Sequence, residues 1–107
     1  MPLSDDAEKV RMLREDAEAG EARAQRHLAN RYLRGKGVEP DPEKAAQWMG
    51  RAAEAGLATA QRSYGEFLEQ GVGVAADRAA ARDWYRLAAE QGDAPARQHL
   101  QRLDRTS

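Results

Sequence analysis

Two histidines, His27 and His99, are the first residues to consider for metal or acid–base chemistry. They lie 72 residues apart, with no cysteine and no Glu-x-x-His pair to complete a ligand set. In a helical chain, neighbouring helices pack about 8–10 Å apart. A separation of two whole structural units therefore keeps these rings off one metal ion, and both are read as surface or groove residues. Serines occur only at Ser4, Ser63 and Ser107, none in a nucleophile elbow. Gly35-x-Gly37 lies between two helical segments and not after a strand, so it reads as a turn and not as a phosphate cradle. Without cysteine there is no thiolate nucleophile and no disulfide. The carboxylates are numerous but spread along charged faces. No catalytic, cofactor or metal site is expected, and the chain is not expected to be an enzyme.

The remaining chemistry is that of recognition. Arg23, Arg26, His27, Asn30 and Arg34 recur at spacings of three and four, which places them on one helix surface, with Arg31 nearby. Thr59, Arg62, Ser63, Glu66 and Gln70 follow at the same positions of a second copy, and Gln98, His99 and Arg102 in a third. Arginine is favoured at protein interfaces and forks onto carboxylates. This polar stripe is the candidate binding surface, and its partner is a protein or peptide carrying acidic residues.

The elements that position the stripe are read from a 36-residue period. Residues 21–56 and 57–92 share 14 of 36 positions without a gap. Gly20, Gly56 and Gly92 fall in register, as do Gly35 with Gly71 and Gly37 with Gly73. Val38 matches Val74, Asp41 matches Asp77, and Trp48 matches Trp84. The chain reads as one domain, 1–107. A half repeat spans 5–20, whole repeats span 21–56 and 57–92, and a half repeat spans 93–104. Six helices are expected near 6–19, 22–34, 42–55, 58–70, 78–91 and 94–104.

Asp41 before Pro42 is an N-cap followed by proline at the first helical position, and Asp77 repeats the cap. Ala45, Trp48, Met49 and Ala52 form an apolar stripe, repeated as Ala81, Trp84, Tyr85 and Ala88. On the other helix of each hairpin, Ala24, Leu28 and Tyr32 recur as Ala60, Tyr64 and Leu68. Ala29 and Gly65 let a neighbouring helix approach closely. The tryptophans are expected in the core, so that Trp84→Ala would cost about 3–5 kcal/mol if the ring is fully buried. Gly50, matched by Arg86, is expected on the outer surface. Ala94, Ala96, Leu100 and Leu103 are expected to face inward on a last helix that caps the stack.

Net charge is −1 with 33% charged residues. That balance argues neither for nucleic acid nor for a membrane surface, and neither is expected as a partner. The polar start, Met1 to Asp6, lacks a leader's basic and apolar regions, so a cytoplasmic protein is expected, as a monomer or weak homo-oligomer.

The pattern Ala24-x-x-x-Leu28-Ala29-x-x-Tyr32-x-x-Gly35-x-Gly37-Val38, then Asp41, Ala45-x-x-Trp48 and Ala52-Ala53-Glu54-x-Gly56, resembles the Sel-one-like repeat (SLR) family. That family is related to tetratricopeptide repeats. The second copy runs from Ala60 to Gly92, with Leu68 in place of the family's tyrosine; Ala29 stands for its glycine. The resemblance implies an all-α, right-handed α-solenoid whose groove, lined by the first helix of each hairpin, binds a partner as a scaffold or adaptor. A dedicated inhibitor, such as an immunity protein neutralising a toxin, is the alternative. Arginines in the groove weaken the version that blocks a basic nuclease.

Overall fold

A computed structural model describes residues 5–106; Met1 to Ser4 and Ser107, with the readings made there, lie outside the described residues. The chain forms α1 (Asp5–Glu18), α2 (Ala22–Arg34), α3 (Pro42–Glu54), α4 (Ala58–Gln70), α5 (Arg78–Glu90) and α6 (Ala94–Thr106). Each helix packs on the one before and the one after it, and the stack is elongated, 54 × 23 × 17 Å. This is an all-α helical repeat solenoid.

The caps fix where each helix begins. Asp41 Oδ1 accepts the Lys44 N–H at 3.1 Å, and Asp77 Oδ1 accepts that of Ala80 at 3.0 Å. The Asp41 N–H donates to Tyr32 O and the Asp77 N–H to Leu68 O, which closes each hairpin onto the last turn of its first helix. The seven glycines in repeat register all have positive φ. The other two, Gly50 and Gly65, are helical and make room instead. A Cβ on Gly65 would meet the Tyr85 ring at 2.6 Å, and one on Gly50 would meet the Tyr64 ring at 3.2 Å.

Gly50 is therefore buried, not on the outer surface as its match with Arg86 suggested. The reason lies one helix further on. Tyr64 presses against Gly50, whereas the residue 36 positions later, beside Arg86, is the smaller Leu100. The tryptophans also depart from expectation. Trp48 and Trp84 are half-buried at the edge of the core, while Tyr85, Met49, Leu28 and Leu103 are the large side chains wholly enclosed. On α6, Ala96, Leu100 and Leu103 face inward, but Ala94 is exposed.

Successive units are joined by a pair of buried glutamines. Gln25 Nε2 donates to Ala17 O at 3.1 Å, and Gln61 Nε2 donates to Ala53 O at 3.3 Å. Each adds a second donor to a carbonyl at the end of the preceding helix that already accepts a glycine N–H, from Gly20 and Gly56 respectively. Gln91 donates to Gln61 Oε1 at 3.0 Å and to Gly56 O. Gln25 Oε1 has no such donor, because Ala55 stands where the next copy has Gln91.

Candidate binding strip on α2

The polar stripe divides into two halves with different chemistry. At its C-terminal half the side chains pair with one another. Arg62 Nε donates to Asp93 Oδ2 at 2.9 Å, and the same oxygen caps α6 by accepting the Ala96 N–H. His99 Nε2 lies 3.2 Å from Glu66, and its ring stacks on Tyr85 at 4.6 Å. Arg102 grips both oxygens of Glu69 at 2.7 and 2.8 Å. Tyr85 donates its hydroxyl to the same carboxylate at 2.7 Å. These contacts stitch α4, α5 and α6 together.

The Arg102 hydrogen bonds pull the Glu69 carboxyl down to about 2 against the opposing effect of burial, with the Tyr85 hydroxyl assisting. Burial and the Glu69 charge together push the Tyr85 hydroxyl up. A carboxyl depressed in the folded state stabilises fully above its ordinary value of 4.5. That stability is lost as pH falls through the folded value. Between those limits, Glu69→Gln should flatten the fall in urea midpoint seen for the unaltered chain. Parallel curves for the two proteins would show that the pair does not couple to folding.

The N-terminal half has no such stitching. Stepping back 36 residues turns Glu66–His99 into Asn30–Ser63, Glu69–Arg102 into Leu33–Glu66, and Arg62–Asp93 into Arg26–Leu57. No opposite charges meet at any of the three. Arg26, His27, Asn30, Arg31, Arg34 and Lys36 line one pocket of about 300 Å³. Arg31 pairs with Asp6 at 3.0 Å. Arg26 and Arg34 have no carboxylate partner among the described residues, whereas Lys36 shares the Asp6 charge with Arg31, and Arg26 Nε is buried without a hydrogen bond. Burial, then the charges of Arg26 and Arg31, pull His27 below its ordinary value. The positive charge of the pocket at neutral pH is therefore that of the arginines and the lysine.

His27 and Arg31 also border a neighbouring pocket of about 380 Å³, where Met12 and Leu13 of α1 supply apolar surface. Met12 is 57% exposed. The α2 surface thus offers the guanidinium groups of Arg26 and Arg34 and, past the Asp6-paired Arg31, an apolar wall that also carries Lys9 and Asp16. It suits an extended segment with carboxylates and an adjoining apolar side chain.

The other stripe residues are dispersed. Arg23 lies at the start of α2, beside a shallow hollow formed with Ala55, Gly56 and Leu57. Thr59 and Ser63 are half-buried on α4, while Gln70 and Gln98 are exposed. Lys36 was missed because it sits in the glycine turn, outside the helical spacing that marked the stripe.

The family described as Sel1 repeat matches residues 22–57 and 58–93. No curated protein sequence matches. Among solved structures, a Sel1 repeat protein from Oxalobacter formigenes is similar at 44% identity and a TM-score of 0.84, covering 86% of this chain and 69% of that one. A protective antigen of uropathogenic Escherichia coli displaying an SLR fold is similar at 37% identity, with a TM-score of 0.82. The match covers 84% of this chain but 19% of the antigen. Helicobacter pylori cysteine rich protein B is similar at 25% identity and a TM-score of 0.82, covering 85% and 68%.

Proposed function

The chain belongs to the Sel1 repeat family, and on that premise we propose that it is a non-catalytic scaffold whose α2 strip docks an acidic segment of a partner protein. Sel1 repeat proteins are generally protein-interaction scaffolds. No helix among the described residues is long and apolar enough to cross a membrane.

The single observation that carries the reading is the cationic pocket in which Arg26 and Arg34 have no carboxylate partner among the described residues. Elsewhere along the same stripe, Arg62 and Arg102 are held by Asp93 and Glu69. Guanidinium groups without an internal carboxylate are free to take one from outside, at about 1.5–3 kcal/mol for each charged hydrogen bond formed. The adjoining Met12–Leu13 wall would receive the apolar residue next to that carboxylate.

The partner is first isolated by pull-down with the unaltered chain. Arg26→Glu with Arg34→Glu should then weaken its affinity at least tenfold while leaving the helical circular dichroism intact. Arg62 is unsuitable for this test because its reversal would break the Asp93 contact. Binding of the unaltered chain should also weaken as salt rises, since exposed charges are screened over about 8–10 Å at ordinary ionic strength. Unchanged affinity in the double reversal would move the binding face off α2. If the double variant fails to fold, exposed Arg34→Glu alone carries the comparison. An inhibitor would show one toxic partner in the same pull-down, and an adaptor several.

A further inference from the structure

The second place where the repeats part company lies on the α1 and α3 side of the stack. At the junction of the two whole repeats, the Tyr64 ring packs edge-on against Trp84, with centroids 5.6 Å apart and planes at 80°. Gly50 makes room for Tyr64. The corresponding place one repeat earlier is built differently. Leu28 stands for Tyr64, so no aromatic ring covers Trp48, and Arg14 stands for Gly50. Lys44 and Arg51 occupy the positions of Ala80 and Leu87. The filled junction, whose matching positions carry the carboxylates Glu54 and Asp83, is replaced by an open one that carries Arg14, Lys44 and Arg51 with Glu18.

That open junction is a pocket of about 640 Å³, within the range typical of small-ligand sites. Trp48 gives it half-buried aromatic surface beside the buried Tyr32, and Arg14, Lys44 and Arg51 surround them. The cations are held in place by the rings. Arg14 Nη2 donates to the Tyr32 hydroxyl at 2.9 Å. The Lys44 ammonium lies 5.6 Å from the centre of the Tyr32 ring, and the Arg51 guanidinium 4.7 Å from that of Trp48. Glu18 is the one carboxylate among the lining residues, so the pocket is net positive.

We propose that this pocket is a second binding site, separate from the α2 strip, that takes an aromatic group bearing a carboxylate. The ring lies against Trp48, and the carboxylate meets Lys44 and Arg14. The same chemistry is offered by a small aromatic acid and by a protein chain ending in an aromatic residue.

The test follows Trp48 fluorescence in a Trp84→Phe variant, which has Trp48 as its single tryptophan. N-acetyl-phenylalanine and a short peptide ending in phenylalanine with a free carboxylate are titrated separately. Their amidated counterparts serve as controls. A saturable change with the carboxylate forms and none with the amides is expected. Response to both forms assigns the site to the aromatic acid itself, and response to the peptide alone assigns it to a chain terminus. Lys44→Glu with Arg51→Glu should raise the apparent Kd at least tenfold. Arg26→Glu with Arg34→Glu should leave it unchanged, which separates this site from the α2 reading. No saturable change with either carboxylate probe overturns the proposal, as does a response that survives the Lys44 and Arg51 reversals. If Trp84→Phe fails to fold, the two indole N–H signals of the unaltered chain are followed by NMR; only that of Trp48 should move.

Discussion

Tyr85→Ala should destabilise the chain by about 3–5 kcal/mol, the range for losing a fully buried aromatic side chain. Tyr85 is wholly enclosed, lies over Gly65, stacks on His99 and donates its hydroxyl to Glu69. It therefore binds α4, α5 and α6 at a single point. In a solenoid each unit is held by its neighbours, so the loss should appear first as fraying of α5 and α6. Hydrogen exchange across Arg78–Thr106 would record it ahead of exchange in α2 and α3. Tyr85→Phe keeps the ring and should cost about 1–2 kcal/mol for the lost hydrogen bond. Trp84→Ala should cost less than Tyr85→Ala, about 1–3 kcal/mol, because the indole is only half-buried. If urea unfolding ranks Trp84→Ala above Tyr85→Ala, the junction has been assigned to the wrong ring.

The second large effect is expected at a turn. Gly73 has φ +69, and a Cβ there would lie 2.0 Å from Pro42 O and 2.5 Å from Pro42 C. Those are backbone atoms at the start of α3, so relief requires a helix or the turn to shift. Gly37 has the same relation to Asp6 O, at 2.5 Å. The second glycine of each turn is thus where one hairpin rests on the first turn of the helix that precedes that hairpin. Gly73→Ala should cost about 2–5 kcal/mol, combining the left-handed backbone penalty with the clash. Gly56 provides the control. It has φ +97, but a Cβ would find nothing within 4 Å. Gly56→Ala should therefore cost only about 1–2 kcal/mol. Equal losses at the two sites in denaturant unfolding would show that the close approach at Gly73 contributes nothing beyond backbone strain.

Much of the architecture is local and was legible in the residues. The 36-residue period, the Asp41 and Asp77 caps and the seven register glycines act through chain geometry within a few residues. They placed all six helices. The α2 stripe was legible for the same reason, since three- and four-residue spacing sets a helix face. What the stripe does along its length was not, because pairing depends on which side chains of separate helices meet. Arg26 and Arg62 share a repeat position and a sequence context, Ala-Gln-Arg. Only the stack shows that Arg62 reaches Asp93 while Arg26 faces Leu57's place and has no carboxylate. Gly50 and Trp48 carry the same lesson. Their periodicity marked one position as outer and the other as core. Burial, however, was decided by what packs on each: the Tyr64 ring covers Gly50, while both tryptophans sit at the edge of the core, Trp48 under the Arg51 guanidinium and Trp84 edge-on to Tyr64. The sequence by itself determined the repeat, its helices and its turns, because those depend on local backbone preference. Only the tertiary structure decided which charges are paired inside the molecule and which are not, because that depends on contacts between residues some 30 positions apart.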